Sequence, residues 1–308
     1  MKQLSIIMPC YQSAGYFDTL IQEMTDLLPS LEKLIQVEFV LVDDGSTDHT
    51  FQEILRFKSI FPKTKAIQLR ANYGAHNAFL AGLTHADGDC FAILHPDLQD
   101  PPQHLLKMIP LWQQGNAWVI GQRAQRKDKV LDRFFASVYH SLIHTIALPQ
   151  SPPGSYDLIL FDKQIRDKLV ELQETNVSQV YLIASFKFPY QIIPISRLEN
   201  KLGKSTWTFQ KKAKLFMDSL VGFSYFPIQL LSFLAMLLGL VFFVLTISNF
   251  IYWFQSGSLS ISRVIVWIVS TFAFILGAML AIVGEYLWRA IELNRKRPAY
   301  FVQSFIDY

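Results

Sequence analysis

The chain has 308 residues, a net charge of +3 at pH 7 and a mean hydropathy of +0.24. So small a net charge gives no electrostatic reason to expect nucleic-acid binding, and the mean hydropathy is high for a wholly soluble protein. The two cysteines, Cys10 and Cys90, lie far apart in apolar runs, which excludes a CxxC site or a disulfide framework and is typical of reduced core residues.

Strand and helix signals alternate along the first hundred residues. Short apolar, β-branched runs predict buried strands, and apolar residues at helical spacing predict the helices between them. This alternation indicates an α/β fold with a mostly parallel sheet, whose ligands bind at the carboxyl ends of the strands. The predicted strands are 4–8, 37–42, 65–69 and 90–94, and the predicted helices are 16–34, 50–61 and 77–84.

The loop after the second predicted strand begins with two acids, Asp43 and Asp44, followed by Gly45 and Ser46. Carboxylates at a strand end can accept hydrogen bonds from a base and a ribose. Gly45 allows the backbone to turn, and Asp48 can cap the next helix. The alternative is a capped turn with solvated acids, and the residues alone favour neither interpretation.

The loop after the fourth predicted strand contains His95, Asp97 and Gln99, each two residues apart. Alternate side chains of an extended segment point the same way, so Asp97 and Gln99 are predicted to share one hard cation, Mg²⁺ or Mn²⁺, with His95 as a third ligand. Such a cation would neutralise a diphosphate leaving group. The alternative is a proline-rich turn with an N-capping aspartate.

The pattern is weaker after residue 103, where we predict a helix at 130–147 and a strand at 156–161. Further on, the stretches 219–262 and 264–284 contain no Asp, Glu, Lys or Arg. About 20 apolar residues suffice to cross a bilayer as a helix. We therefore predict a transmembrane hairpin. The predicted organisation is a domain at 1–210, an amphipathic juxtamembrane helix at 211–226, a hairpin at 227–289 with spans 228–254 and 264–287, and a tail at 290–308.

Basic residues flank this hairpin on both outer sides, whereas the loop between the spans holds only Arg263. This asymmetry places both termini in the cytoplasm, in a multi-pass protein of the cytoplasmic (inner) membrane, and the basic residues are expected to attract anionic lipid head groups. The N-terminus does not resemble a signal peptide. Small residues such as Gly277 and Ala278 allow hairpins to pack together, so we also expect a homo-oligomer.

A series of short motifs follows in order along the N-terminal half: Met8-Pro9-Cys10-Tyr11, residues 42–48, Asn72-Tyr73-Gly74, Ala81-Gly82-Leu83, Gly88-Asp89 and residues 97–102. In this order they resemble glycosyltransferase family 2, with the GT-A fold. The C-terminal half contains Gly203-Lys204-Ser205, Phe223-Ser224, residues 284–287 and Arg297-Pro298. These motifs are similar to the polyprenyl-phosphate glycosyltransferases of that family, such as dolichol-phosphate mannose synthase and the bactoprenol glucosyltransferases.

The resemblance implies a role for each matching position. It implies inverting transfer of a sugar from a nucleotide-sugar, with a modest preference for a UDP-linked donor, onto polyprenyl phosphate at the membrane. Pro9, Tyr11, Asp43, Asp44 and Ser46 would line the nucleotide pocket, and Lys204 with Ser205 would close over the donor. Asp97, Gln99 and His95 would hold the metal, and Arg123, Arg133 and Ser137 would meet phosphates, for which arginine is suited by its planar fork of donors.

The sequence departs from the family pattern at four polar places. His95-Pro96-Asp97 replaces Asp-x-Asp, Gln12-Ser13 replaces an acid, Asp157 stands where a cation is usual, and Asn200 replaces an arginine. These changes motivate a second hypothesis, a catalytically weak or silent membrane-anchored homologue that binds nucleotide-sugar or a partner enzyme. Transfer onto another lipid such as diacylglycerol is a third. A processive synthase is disfavoured because the chain has no Gln-x-x-Arg-Trp motif.

Overall fold

The computed structural model describes residues 2–123, 156–172, 179–196 and 298–308, together with single helical positions between residues 247 and 290. The chain divides into two compact units, one formed by Met1–Phe216 with Pro298–Tyr308 and the other by Met217–Arg297. Residues 298–308, which the sequence analysis places in a C-terminal tail, therefore belong to the same unit as the N-terminal domain.

The first unit contains an eight-stranded sheet and helices on both of its faces. Its strands are β1 (Gln3–Cys10), β2 (Gln36–Asp43), β3 (Thr64–Leu69), β4 (Cys90–Ile93), β5 (Trp118–Arg123), β6 (Tyr156–Asp162), β7 (Tyr190–Ile195) and β8 (Val302–Ile306). The described helices are α1 (Phe17–Glu32), α2 (Thr50–Ile60), α3 (Ala75–His85), α4 (Leu105–Gln113), α5 (Lys163–Leu172) and α6 (Gln179–Ser185), with short 3-10 turns at Ala14–Tyr16 and Pro102–His104.

The strand order across the sheet is β7-β5-β6-β4-β1-β2-β3-β8. Strands β4, β1, β2 and β3 run parallel, as do β5 and β7, whereas β6 is antiparallel to both of its neighbours and β8 is antiparallel to β3. The predicted α/β fold with a mixed, mostly parallel sheet is confirmed. The four strands predicted in the first hundred residues correspond to β1–β4, and the predicted strand at 156–161 corresponds to β6.

The sheet is covered on both faces, which explains why its central strands are apolar along nearly their whole length. On one face α1, α2 and α4 pack on alternate residues of β1 and β2, and Phe39 lies against Phe57 with ring centroids 5.2 Å apart. On the other face α3 approaches so closely that a Cβ on Gly82 would lie 2.5 Å from a methyl carbon of Ile7. Both cysteines are buried and unpaired in this unit.

The second unit contains the predicted hairpin, most of which lies outside the described residues, as do the predicted helices at 130–147 and 211–226. The described positions of this unit are helical, and among them Ile247, Phe250, Ile251 and Phe254 are exposed. No helix is long and apolar enough to cross a membrane within the part of the chain that the structure describes.

Candidate functional site

Three loops begin at one edge of the sheet, where β1, β2 and β4 end. Cys10 is opposite Asp43 in the β1–β2 register, and Ile7 is opposite Ile93 in the β1–β4 register. The pairing continues past the strand ends, because the Leu94 amide donates to the Ile7 carbonyl at 3.0 Å and the Asp44 amide to the Cys10 carbonyl at 2.8 Å. The structure therefore brings together the three loops in which chemistry is predicted.

Asp43 is fully buried at the end of β2, and both of its carboxylate oxygens accept hydrogen bonds. Oδ1 accepts from the Ser46 amide at 3.0 Å, and Oδ2 accepts from Nε2 of Gln68 at 3.3 Å. The first bond closes the turn after β2. Burial, together with the charge of Asp43, raises the pKa of the Cys10 thiol, so this cysteine remains protonated. Asp43 thus organises the loop, and direct contact with a nucleotide stays a prediction.

Asp44 is also buried, and it binds the segment that leads into α3. Its two carboxylate oxygens accept from the backbone amides of Tyr73 at 2.7 Å and Gly74 at 2.9 Å. Burial raises the pKa of Asp44 from 3.8 to about 6, because the two hydrogen bonds do not compensate for the loss of hydration and the repulsion from Asp43 raises the pKa further. The carboxylate therefore joins the loop after β2 to the start of α3.

Gly45 has no substitute in this turn. Its φ is +66°, and a Cβ at this position would lie 2.3 Å from the backbone carbonyl carbon of Ala71. Gly45 was predicted to let the backbone turn, and the structure confirms this; in addition, the Ala71 backbone occupies the space that a side chain would need.

The loop after β1 packs on the loop after β2. Gln12 has a φ of +51°, its amide donates to Oγ of Ser46 at 3.0 Å, and its side chain donates to Oγ1 of Thr47 at 2.7 Å. Ser46 therefore receives a bond from the first loop while donating to Asp43. Tyr11, next to this contact, is half exposed at the sheet edge, whereas Pro9 is buried within β1.

Asp48 was predicted to cap α2; in the structure the N-cap position is His49, and Asp48, one residue earlier, accepts from the first amide of the helix. Its Oδ1 accepts from the Thr50 amide at 3.0 Å, and its Oδ2 accepts from the Ala14 amide at 3.3 Å. Partial burial would raise the pKa of Asp48, but the hydrogen bonds from Thr50 and Ala14 outweigh that effect and lower it.

The loop after β4 turns sharply instead of continuing as an extended segment. The Leu98 amide donates to the His95 carbonyl at 3.1 Å, Leu98 has a φ of +49°, and the Gln99 amide donates to Oδ1 of Asp97 at 3.3 Å. The premise that His95, Asp97 and Gln99 alternate along an extended chain is therefore wrong. His95 is exposed, whereas Asp97 and Gln99 are partly exposed on either side of buried Leu98.

Comparison with known proteins supplies the family. Residues 5–172 match the family described as Glycosyl transferase family 2. The chain belongs to glycosyltransferase family 2. The matched range contains β1 through α5, and so includes all three loops at the sheet edge.

Individual members resemble this glycosyltransferase along nearly its whole length. It is 29% identical to the putative glycosyltransferase CsbB of Bacillus subtilis, covering 99% of this chain and 93% of that one. It is 27% identical to the undecaprenyl-phosphate 4-deoxy-4-formamido-L-arabinose transferase of Photorhabdus laumondii, covering 99% and 95%. Among solved structures, the mannosyltransferase PcManGT from Pyrobaculum calidifontis matches at 17% identity and a TM-score of 0.47, covering 94% of this chain and 88% of that one.

The glycosyltransferase does not provide a complete metal site from the side chains that the structure describes. No three His, Cys, Asp or Glu side chains among them lie together in a way that could hold a metal ion. Asp97 and Gln99 nevertheless remain accessible, with one carboxylate and one amide oxygen. This fits Mg²⁺, which is usually bound through one or two carboxylates together with substrate phosphates and water.

A further histidine, His76, lies near His95 of this loop. His76 is in the first turn of α3, and burial, with the proximity of His95, lowers its pKa. A neutral imidazole favours transition metals such as Mn²⁺ over Mg²⁺. His76 was not singled out from the sequence. The signal that it offers is its position as the second residue of the helix that follows the Asn72-Tyr73-Gly74 motif.

The remaining predicted site residues lie at or beyond the ends of the described segments. Arg123 is the last residue of β5, whose carboxyl end is at the same sheet edge as that of β4. Arg133, Ser137, Lys204 and Ser205 lie outside the described residues.

Gln68 is a second residue near this site that was not singled out from the sequence. It lies near the end of β3 and donates to Asp43, but the sequence analysis considered only the loops after the first, second and fourth strands. The same rule about carboxyl strand ends, applied to β3, identifies it.

Proposed function

We propose that this glycosyltransferase moves a sugar from a nucleotide-sugar, UDP-linked in the first instance, to polyprenyl (undecaprenyl) phosphate at the cytoplasmic face of the membrane, for modification of cell-envelope glycan or glycolipid. The observation that carries the proposal is the convergence of the Tyr11, Asp43–Ser46 and Asp97 loops at one edge of the sheet in a family 2 chain. Ligands of such sheets bind at this edge.

The acceptor is inferred from a relative. A protein named as an undecaprenyl-phosphate transferase is similar to this chain over 99% of its length, so the likeness extends beyond the 5–172 family match into the C-terminal third. Fold alone does not determine the acceptor, because sites with different functions occur on the same fold. The proposal of a lipid phosphate therefore depends on similarity over the entire chain.

The proposed reaction is a single displacement with inversion. An oxygen of the lipid phosphate attacks the anomeric carbon of the sugar, the bond from that carbon to the donor diphosphate breaks, and nucleoside diphosphate leaves with the bonding electrons. A phosphate monoester is already anionic near neutral pH, so the reaction needs little general-base catalysis. Positioning and charge neutralisation supply most of the acceleration.

The proposed roles depend on position for the residues of the three loops and on family resemblance for the others. Tyr11 offers a half-exposed ring to the base, and the turn held by Asp43 and Asp44 frames the nucleotide pocket beside Ser46. Asp97 and Gln99 would hold a divalent metal, Mg²⁺ or Mn²⁺, which would neutralise the leaving diphosphate. Family resemblance assigns phosphate contacts to Arg123, Arg133 and Ser137. It assigns closure over the donor to Lys204 and Ser205.

Membrane attachment through the predicted hairpin is part of the proposal. Ile247, Phe250, Ile251 and Phe254 follow one another at helical three- and four-residue spacing and are exposed. A stripe of exposed large apolar side chains marks a surface for lipid or protein. A hairpin in the bilayer would hold the active site at the depth of the lipid phosphate.

The test is transfer of radiolabelled sugar to undecaprenyl phosphate by purified protein in detergent, with a panel of nucleotide-sugars and with Mg²⁺, Mn²⁺ or chelator. We expect lipid-linked product that chelator abolishes and that Asp97→Asn reduces by roughly 10²-fold or more. The matched control is Asp26→Asn, because Asp26 is exposed on α1, where it accepts from its helix neighbour Gln22.

The outcomes separate the hypotheses. Absence of product with every donor and metal, in protein that still binds nucleotide, contradicts transferase activity and favours the silent homologue. Product on diacylglycerol but not on undecaprenyl phosphate contradicts the proposed acceptor while retaining the reaction.

A further inference from the structure

Three polar residues form a row across the sheet between the donor loops and the last strand. Asp43 on β2 is opposite Gln68 on β3, and Gln68 is opposite Ser304 on β8. Their side chains are hydrogen-bonded in the same order. Oγ of Ser304 donates to Oε1 of Gln68 at 3.2 Å, and Nε2 of Gln68 donates to Oδ2 of Asp43 at 3.3 Å.

The chemistry of the groups fixes the direction of this row. An ionised Asp43 can only accept, so the amide of Gln68 must present its NH₂ group to the carboxylate. Its oxygen then faces β8, where a hydroxyl donor satisfies it. The opposite orientation of the amide would place two oxygens together at Asp43. The Ser304 hydroxyl therefore favours the one orientation of Gln68 that supports the carboxylate.

The other end of the row is the turn at the donor edge. Oδ1 of Asp43 accepts from the Ser46 amide, and Ser46 in turn receives the Gln12 amide from the loop after β1. Gln68 thus fixes Oδ2 of the Asp43 carboxylate, and Oδ1 of the same carboxylate fixes the turn. Two side chains, those of Gln68 and Asp43, therefore connect Ser304 with the Ser46 amide.

A second contact connects the same C-terminal segment with the other acid of the pair. The Arg70 amide donates to the Phe301 carbonyl at 2.9 Å, and the Phe301 ring lies 6.5 Å from that of Tyr73. The Tyr73 amide donates to Asp44. Strand β8 and the residue before it therefore contact the supports of both Asp43 and Asp44.

We propose that Gln68 and Ser304 are positioning residues, through which β8 holds the Asp43 turn in the orientation that nucleotide binding requires. This inference rests on the proposed function, because it concerns the donor side of the same site. Strand β8 would then influence nucleotide affinity indirectly, through Gln68 and Asp43.

The experiment measures nucleotide affinity and local exchange in the full-length protein in detergent. The dissociation constants of UDP and GDP are measured by calorimetry for wild type, Ser304→Ala, Ser304→Thr and Gln68→Leu, and hydrogen exchange is followed in the peptide that contains Ser46. Gln303→Ala is the matched control, because Gln303 is an exposed neighbour on the same strand. Melting temperatures verify that each variant is folded.

We expect Ser304→Ala to raise the nucleotide dissociation constant roughly three- to tenfold and Gln68→Leu roughly ten- to hundredfold, in line with the loss of a neutral and a charge-assisted hydrogen bond. In both variants the Ser46 peptide exchanges faster. Ser304→Thr retains the hydroxyl and restores affinity, and Gln303→Ala changes neither readout. In transfer assays the KM for donor rises while kcat and the KM for acceptor stay constant.

Unchanged exchange of the Ser46 peptide in folded Ser304→Ala and Gln68→Leu overturns the inference. Faster exchange with an unchanged nucleotide dissociation constant overturns it as well, because the turn would then have no bearing on the donor. If wild type binds neither nucleotide but the variants still accelerate exchange, the positioning row is supported and the proposed function is what fails.

Discussion

Asp44 is a residue whose burial disfavours its charged form. The fold tolerates its carboxylate because two backbone amides at the start of α3, those of Tyr73 and Gly74, donate hydrogen bonds to it. The sequence predicted that Asp43 and Asp44 lie at a binding edge, since acids after a buried strand are easily recognised. It did not predict that both carboxylates are occupied by internal partners, because Gln68, Tyr73 and Gly74 meet them only through tertiary packing.

The raised pKa of Asp44 predicts a specific pH dependence of stability. A carboxyl whose folded pKa, about 6, exceeds its ordinary value of 3.8 favours the folded state below the ordinary value, and this contribution is lost as pH rises through about 6. The melting temperature of wild type minus that of Asp44→Asn is therefore expected to fall by several degrees between pH 4 and pH 7, by roughly 5 °C. Thermal melts across this range test it, and a difference that grows with pH would contradict it.

At the scale of the elements, the parts that were predicted are those with local signals. Strands β1–β4 have uninterrupted apolar runs, and α1–α3 have apolar spacing between them. Strands β5, β7 and β8 were missed. The edge strand β8 includes polar Gln303 and Ser304, and its partner β3 is more than 200 residues away, as the separation of 236 between Ser304 and Gln68 illustrates. The local pattern of a five-residue strand cannot identify a partner strand so far away in the sequence.

The start of α2 provides the prediction at this scale. Asp48→Ala removes the acceptor for the Thr50 and Ala14 amides and is expected to lower the free energy of unfolding by about 1 kcal/mol at pH 7. Because the folded pKa of Asp48 is lowered, its contribution is present above the ordinary value and is lost as pH falls through the folded value. Denaturant titrations at pH 7 and near pH 3 measure it. An equal effect of Asp26→Ala would show that these two hydrogen bonds are not the cause.

At the scale of the whole molecule, β8 makes the N-terminal unit discontinuous in sequence. The hydroxyl of Tyr300 donates to Thr84 at 3.0 Å, and the Phe305 ring lies 4.6 Å from that of His85. The buried Lys65 has its ammonium 5.0 Å from the centre of the Tyr308 ring. These contacts cover the edge of β3, which would otherwise offer unpaired backbone groups to another chain.

Deletion of Pro298–Tyr308 is therefore expected to destabilise the N-terminal unit, with a fall in melting temperature of roughly 5–10 °C and increased aggregation through the edge of β3. Thermal melts with light scattering measure both effects. Asp307→Ala serves as the control, because its exposed carboxylate accepts from the adjacent Tyr308 amide. A deletion variant that melts like wild type and stays monodisperse would contradict the assignment of β8 to this unit.

The separation between β3 and β8 also determines when the sheet can be finished during synthesis. The ribosome completes the family 2 core, residues 5–172, long before it adds Val302–Ile306. During that interval β3 is an open edge, and the Gln68 amide lacks its hydroxyl partner. A message truncated between residues 172 and 302 would therefore yield a chain that has all three loops of the sheet edge but no closing strand. The hydrogen-bonded row from Asp43 to Ser304 can be complete only once translation has passed residue 304.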